Sequence, residues 1–175
     1  MLRMGNINDG SLDLENLKYL PASHEEFPDL LLEPRDILFN RTNSAELVGK
    51  TAVYRGNPTP CSFASYLIRL RLLPGCVAQF LAYYINSFFG RAWIKSVVSQ
   101  QVGQANVNGT KLQDLVLPLP PLAEQERIVG EVERRLSVIE ELDAAVTANL
   151  KRAERLRQSI LHRAFTGALV GADIG

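Results

Sequence analysis

The chain has 175 residues, 46% of them hydrophobic, and its 19 basic and 19 acidic side chains give a formal net charge of zero. That length supports one ordinary domain plus an extension, and the zero balance excludes an overall field that would advertise a nucleic-acid or membrane partner. Two cysteines exclude a disulfide framework; with no signal-peptide pattern and no apolar run near the ~18 residues of a membrane helix, the chain reads as cytoplasmic.

Charge is unevenly placed along the chain. Met1 to Asp36 holds eight acids against Arg3, Lys18 and Arg35. Ile37 to Gln113 holds Glu46 alone against eight bases, so the middle is strongly basic. One reading is a set of solvated cations facing the acidic N-terminal part; the other is a surface for a polyanion.

Residues 1–36 read as short strands and turns, with Asp9-Gly10 a turn signal. "RDILFNRTNS" starts as a strand, Ile37 to Phe39, and opens into a polar loop, Asn40 to Ser44. "GKTAVYRGNPTP" is a short strand closed by turn residues. "SFASYLIRLRL" alternates, with Tyr66, Ile68 and Leu70 on one face and Leu67, Arg69 and Arg71 on the other.

From Gly75 to Val98 the period changes. Val77, Phe80, Leu81, Tyr84, Ile85 and Phe88 recur at three- and four-residue steps, which predicts an amphipathic helix with Cys76 in its apolar pattern. Gly90 is the predicted break, and Trp93, Ile94 and Val97 continue the pattern. "SQQVGQANVNGTKL" predicts a loop. "LQDLVLPLP" returns to an extended segment, which Pro118 and Pro120 confine to a sheet edge or a strand end.

Pro121 suits a first helical turn, and Glu124 and Glu126 favour the positive end of the helix dipole. An apolar stripe follows: Ile128, Val132, Leu136, Ile139, Leu142, Val146, Leu150, Ala153, Leu156, Ile160 and Ala164. Its mean step of ~3.6 residues marks one face of a single helix with little supercoil. Gly130 is a weak point in it. Acids dominate the first half and bases the second, which complements the dipole and suits an antiparallel partner. Gly167 is a natural stop. A helix from Pro121 to Thr166 would be ~69 Å long, wider than the core of a domain of this size. Most of the stripe is therefore expected to need a partner helix. The alternative, a helical hairpin, requires a turn that "ELDAAVTANL" does not supply with glycine or proline.

Catalytic and cofactor signatures are absent from the reading. His24 and His162 have no metal-ligand spacing between them, and there is no phosphate-binding glycine loop, dinucleotide fingerprint or nucleophile elbow. "PDLLLEPR" loosely resembles a nuclease Pro-Asp followed by a carboxylate, but lacks the following lysine. No metal, cofactor or catalytic residue is expected. Binding remains. Arg41, Asn43, Lys50, Arg55, Gln100, Gln101, Gln104, Asn106, Asn108 and Lys111 fall in two loops, Asn40 to Arg55 and Ser99 to Lys111. Lys and Arg neutralise phosphates, while Arg, Asn and Gln bond base edges in pairs. Ordinary polar loops are the alternative.

Six stretches together resemble the DNA specificity subunit of type I restriction–modification systems. They are "LRMGNINDGSLDL", "EPRDILFNRTNS", "VGKTAVY", "ANVNGTKLQDLVLPLPP", "PLPPLAEQERIV" and "SILHRAFTGALV", and they cover nearly the whole chain. The Leu-Pro-Pro-Leu-Ala-Glu-Gln run followed by a helix is the most specific of them. The resemblance implies a target-recognition domain followed by a long helix; full-length members have two of each, with the helices paired antiparallel and each domain reading half of a split duplex DNA site. It also implies a non-catalytic subunit that joins a methyltransferase subunit, which uses S-adenosylmethionine, and an ATP-driven restriction subunit. This chain holds one domain and one helix, half a subunit. It opens at the segment resembling "LRMGNI", so its recognition domain is expected to be incomplete at the N-terminal end.

The expected fold is α+β: a mixed-sheet target-recognition domain over residues 1–120, a long C-terminal helix over 121–167 pairing antiparallel with a partner helix, and a tail over 168–175. The expected role is sequence-specific DNA recognition by a homodimer that scaffolds the methyltransferase and restriction subunits. The alternative is a truncated interaction fragment that dimerises or docks on other subunits without binding DNA.

Overall fold

The computed structural model describes residues 1–8, 10–24, 27–101 and 104–169. The chain divides into two units, Met1–Val129 and Gly130–Gly175.

The first unit is built on β3 (Ile37–Asn40), which pairs antiparallel with β5 (Thr51–Val53) on one side and β6 (Leu67–Leu70) on the other. Period-two alternation sends Ile37 and Phe39 to one face and Leu38 to the other. The first face packs Val48, Leu81, Ile85 and Ile94. The second packs Leu2, Ile7, Tyr54 and Leu67. Both faces are covered, so every residue of β3 is buried. In β6, Ile68 and Leu70 join the first core and Leu67 the second. Arg69 stays on the second side with its guanidinium 5.5 Å from the Phe63 ring centre, donating to the carbonyls of Asp29 and Leu31.

The N-terminal segment lies on the second core. Leu2 is buried and bridges Phe63 in parallel register. A 3-10 turn (Met4–Asn6) leads into β1 (Ile7–Asn8) and β2 (Ser11–Leu12), an antiparallel hairpin. Gly10 closes it at φ +84°, a left-handed value that glycine adopts without strain; Asp9 of the predicted turn lies outside the described residues. The α+β class stands. Among the described residues the strands pair antiparallel, and parallel register is confined to the Leu2–Phe63 bridge.

Three local predictions are corrected. The helical region is α1 (Ala78–Asn86) and α2 (Phe88–Val97), broken at Ser87 rather than at Gly90. Ser87 is extended, with φ −68° and ψ 169°. Gly90 sits inside α2 because a Cβ there would stand 2.3 Å from the Ile85 carbonyl oxygen and 2.4 Å from that of Tyr84. Cys76 precedes α1, half-buried against the first core. The predicted loop at 99–111 is instead a hairpin, β7 (Ser99–Gln101) and β8 (Gln104–Asn106), followed by α3 (Gly109–Gln113). The segment 115–121 joins no sheet; Leu115 and Leu117 simply pack against the first core.

Helix α4 (Leu122–Phe165) runs unbroken for 44 residues, about 66 Å, so the hairpin alternative does not occur. Pro121 starts it, its carbonyl accepting the Glu124 and Gln125 N–H groups. Gly167 ends it at φ +74°, and the Leu169 N–H returns to the Arg163 carbonyl. In the second unit the stripe residues Leu136, Ile139, Leu142, Val146, Leu150, Leu156 and Ile160 are all exposed, Leu142 at 61%. Nearer the start of α4, Ile128 and Val132 are half-buried.

Candidate nucleic-acid interface

A second sheet joins the two polar loops picked out by sequence. β4 (Thr42–Asn43) pairs antiparallel with β8, and β8 with β7. The side chain of Asn106 donates to Thr42 Oγ1 at 2.6 Å across a separation of 64 residues, and the Val107 N–H donates to the Arg41 carbonyl. Among the described residues of this hairpin, Ala105 alone is buried and apolar. Pairing with β4, more than propensity, therefore holds these strands.

The 44–50 loop is fixed from behind. Arg91 donates to the carbonyls of Val48 and Glu46, at 2.6 and 2.7 Å, and burial lowers its pKa. Gly49 lies at φ +81°, where a Cβ would stand 2.3 Å from Ile94 Cδ1. The basic middle segment is in part structural. Arg69, Arg91 and Lys111 are bound to backbone carbonyls, and Arg71 pairs with Asp36 and Glu33.

The structure gathers Arg41, Asn43, Lys50, Gln104 and Asn106 around the β4–β8 pairing. Arg41 is half-buried, its N–H bound to the Tyr66 carbonyl and its Nε unpartnered among the described residues. Asn43 accepts from the Ser44 N–H. Gln104 is exposed. Gln101 pairs with Gln104 through the backbone, and its side chain, like that of Gln100, lies outside the described residues. Asn108 caps α3 by accepting the Lys111 N–H at 2.9 Å. Lys111 donates to Ser99 Oγ and the Val97 carbonyl, tying α3 to the hairpin. Arg55 is exposed at the opposite end of β5 from Lys50, five residues on and so about 17 Å along the strand.

Two residues carry more than the sequence reading gave them. Asn40, read as the start of a loop, ends β3 and is 1% exposed. Neither its Nδ2 nor its Oδ1 has a hydrogen-bond partner among the described residues. It lines a cleft of about 780 Å³ together with Arg3, Asp13, Glu15, Asn43, Lys50 and Tyr66. Gln125, in the first turn of α4, is also 1% exposed, but fully bonded: it accepts the Val77 N–H and donates to the Gly75 and Pro120 carbonyls. Its position three residues before Ile128, on the face of the stripe, was the signal available. Among the described residues no group of three or more His, Cys, Asp or Glu could hold a metal ion, and no helix is long and apolar enough to cross a membrane.

Residues 3–151 match the family model for the type I restriction modification DNA specificity domain. The chain is similar to the type I restriction enzyme StySPI specificity subunit of Salmonella potsdam, 34% identical over 97% of this chain and 37% of that protein. It is 29% identical to the EcoKI specificity subunit of Escherichia coli K12, again over 97% of this chain and 37% of the relative. The putative MjaX specificity subunit of Methanocaldococcus jannaschii is 28% identical over 94% of this chain and 38% of its own. The chain thus spans a little over a third of the length of these curated relatives. In fold it resembles a chain from a solved type I R-M system, with a TM-score of 0.70, 22% identity, and coverage of 96% of this chain and 38% of that one. The chain belongs to the family of type I restriction–modification DNA specificity domains.

Proposed function

We propose that this chain is half of a type I specificity subunit. Its recognition domain reads one part of a split duplex DNA site, and its long helix pairs antiparallel with that of a second copy. One observation supports the DNA reading above the rest: β4 and β8 pair, which sets two polar loops from distant parts of the chain side by side. In this reading Arg41 and Lys50 neutralise phosphates, and Asn43 and Gln104 present amides to base edges. Asn106, Asn108 and Lys111 hold the hairpin in shape beside them, and Arg55 meets the phosphate backbone away from that centre. The chain carries no catalysis and no cofactor of its own. It works in the cytoplasm and scaffolds the methyltransferase and restriction subunits.

Fluorescence anisotropy with duplex DNA tests this. Affinity should fall steeply with salt, and Arg41→Ala should weaken binding and reduce the log–log salt slope by about 1. Unchanged affinity for Arg41→Ala and Lys50→Ala at low salt would contradict it. The exposed apolar stripe of α4 supports a second reading, in which the chain docks on other subunits through the helix and does not bind DNA. A gel shift against random duplex pools separates the two.

A further inference from the structure

Two side chains beside the junction of α1 and α2 grip one segment of chain, and both grip it by its backbone. Asn86, the last residue of α1, bonds both polar groups of Thr51. Its Oδ1 accepts the Thr51 N–H at 3.1 Å, and its Nδ2 donates to the Thr51 carbonyl at 2.7 Å. Thr51 opens β5, an edge strand of its sheet, and the outward N–H and C=O groups of an edge have no strand to pair with. The Asn86 amide stands where that neighbour would be. Arg91, on the other side of the junction, donates through Nη1 to the Val48 carbonyl and through Nη2 to that of Glu46. The junction itself is tightly closed. Ser87 bonds the Tyr84 carbonyl through both its N–H and its hydroxyl, and Gly90 lets α2 come against the end of α1. Lys50 lies between the two grips, with its carbonyl accepting the Asn40 N–H. Neither grip depends on which side chains the segment carries. Ser44, Ala45, Glu46 and Leu47 are exposed, so they can vary while the path of the chain stays fixed.

We propose that Asn86 and Arg91 are positioning residues for DNA contact: they fix the path of residues 46–51 before binding, so that Lys50 meets a phosphate from a segment already ordered. The proposal rests on the DNA reading above. A segment ordered beforehand loses less conformational freedom on contact, which strengthens binding without any added contact. The Arg91 guanidinium is occupied by two carbonyls. It acts through Lys50 and does not itself neutralise phosphate.

Amide hydrogen exchange by NMR and duplex DNA affinity by fluorescence anisotropy, both on the full chain, test this together. Arg91→Ala and Asn86→Ala should each speed exchange at Gly49 and Lys50 by about tenfold or more, while the amides of Ile37 to Phe39 keep their native rates. A merely structural role would speed both sets equally. Arg91→Ala should weaken DNA binding by about tenfold in the native chain but by less than about twofold in a Lys50→Ala chain. In that second background it should leave the salt slope as it is. Arg91→Lys keeps a cation able to meet one carbonyl and serves if Arg91→Ala does not fold; it should show smaller changes in the same direction. Exchange at Gly49 and Lys50 that is unchanged, or that rises equally in β3, overturns the proposal. So does a cost of the Arg91 substitution that is as large without Lys50 as with it. A native chain that binds no duplex overturns the DNA reading and this proposal with it. Native binding with independent costs at Arg91 and Lys50 overturns this proposal alone.

Discussion

Gln125 Oε1, in the first turn of α4, accepts the backbone N–H of Val77 at 2.9 Å, just ahead of α1. The same amide donates to Gly75 and Pro120. A polar side chain at this depth is stable only when satisfied, and here all three of its bonds go to backbone. Gln125→Ala removes three part-buried hydrogen bonds to the backbone of Gly75, Val77 and Pro120. It should destabilise the first unit by about 2–4 kcal/mol, read as a lower urea midpoint. A midpoint like that of the native chain would show the amide to be dispensable.

Leu142 sits mid-stripe and exposed on a helix in which acids dominate the first half and bases the second. If two copies pair antiparallel, Leu142 faces the centre of the seam, and a charge there has no partner to neutralise it. Leu142→Glu should convert dimers to monomers in sedimentation velocity. Intact dimers would defeat the pairing.

Glycines 90 and 130 should respond in opposite senses to alanine. At Gly90 a Cβ meets two backbone carbonyl oxygens, which cannot yield as a side chain would. Gly90→Ala should cost about 1–3 kcal/mol. At Gly130, exposed and inside α4, nothing lies within 4 Å of the added atom. Gly130→Ala should stabilise the helix by about 1 kcal/mol. Thermal melts of the two variants, one falling and one rising, check both.

Arg134 and Arg135 donate to the Glu131 carboxylate at 2.9 and 2.6 Å and hold it well below its ordinary 4.5, at about 2. Because the folded-state value is depressed, the contribution is present above pH 4.5 and lost as pH falls through about 2. These side chains are largely exposed, so solvent and salt screen the effect. Between about pH 5 and about pH 2 the native chain should lose more 222 nm ellipticity than Glu131→Gln, and added salt should narrow the gap. Equal losses at low salt would remove the ion triad from the account.

Helix α4 was legible because its signals agree: a 3.6-residue stripe, Pro121 at the start and Gly167 at the end predict 121–166, and the helix runs Leu122–Phe165. The core strand at Ile37 was legible for the same reason, an apolar run between charged and polar neighbours. The hairpin at 99–106 was not. Its residues are polar, its strands are three residues long, and the partner that orders it, β4, lies 64 residues earlier in the chain. Gly90 misled for a related reason. Its lack of a side chain serves close approach to the carbonyls of Tyr84 and Ile85, a tertiary need that looks like a helix break in one dimension. In the candidate site, the sequence reading picked the two loops but could not separate Asn108, committed to a helix cap, from exposed Gln104, nor see that Asn40 is buried.

Selection of bound duplexes from a random DNA library by the purified full chain tests the central claim most directly. Two copies related by a two-fold axis should enrich a split site whose halves are inverted repeats at one fixed spacing. A pool that stays random after repeated rounds at low salt would contradict it.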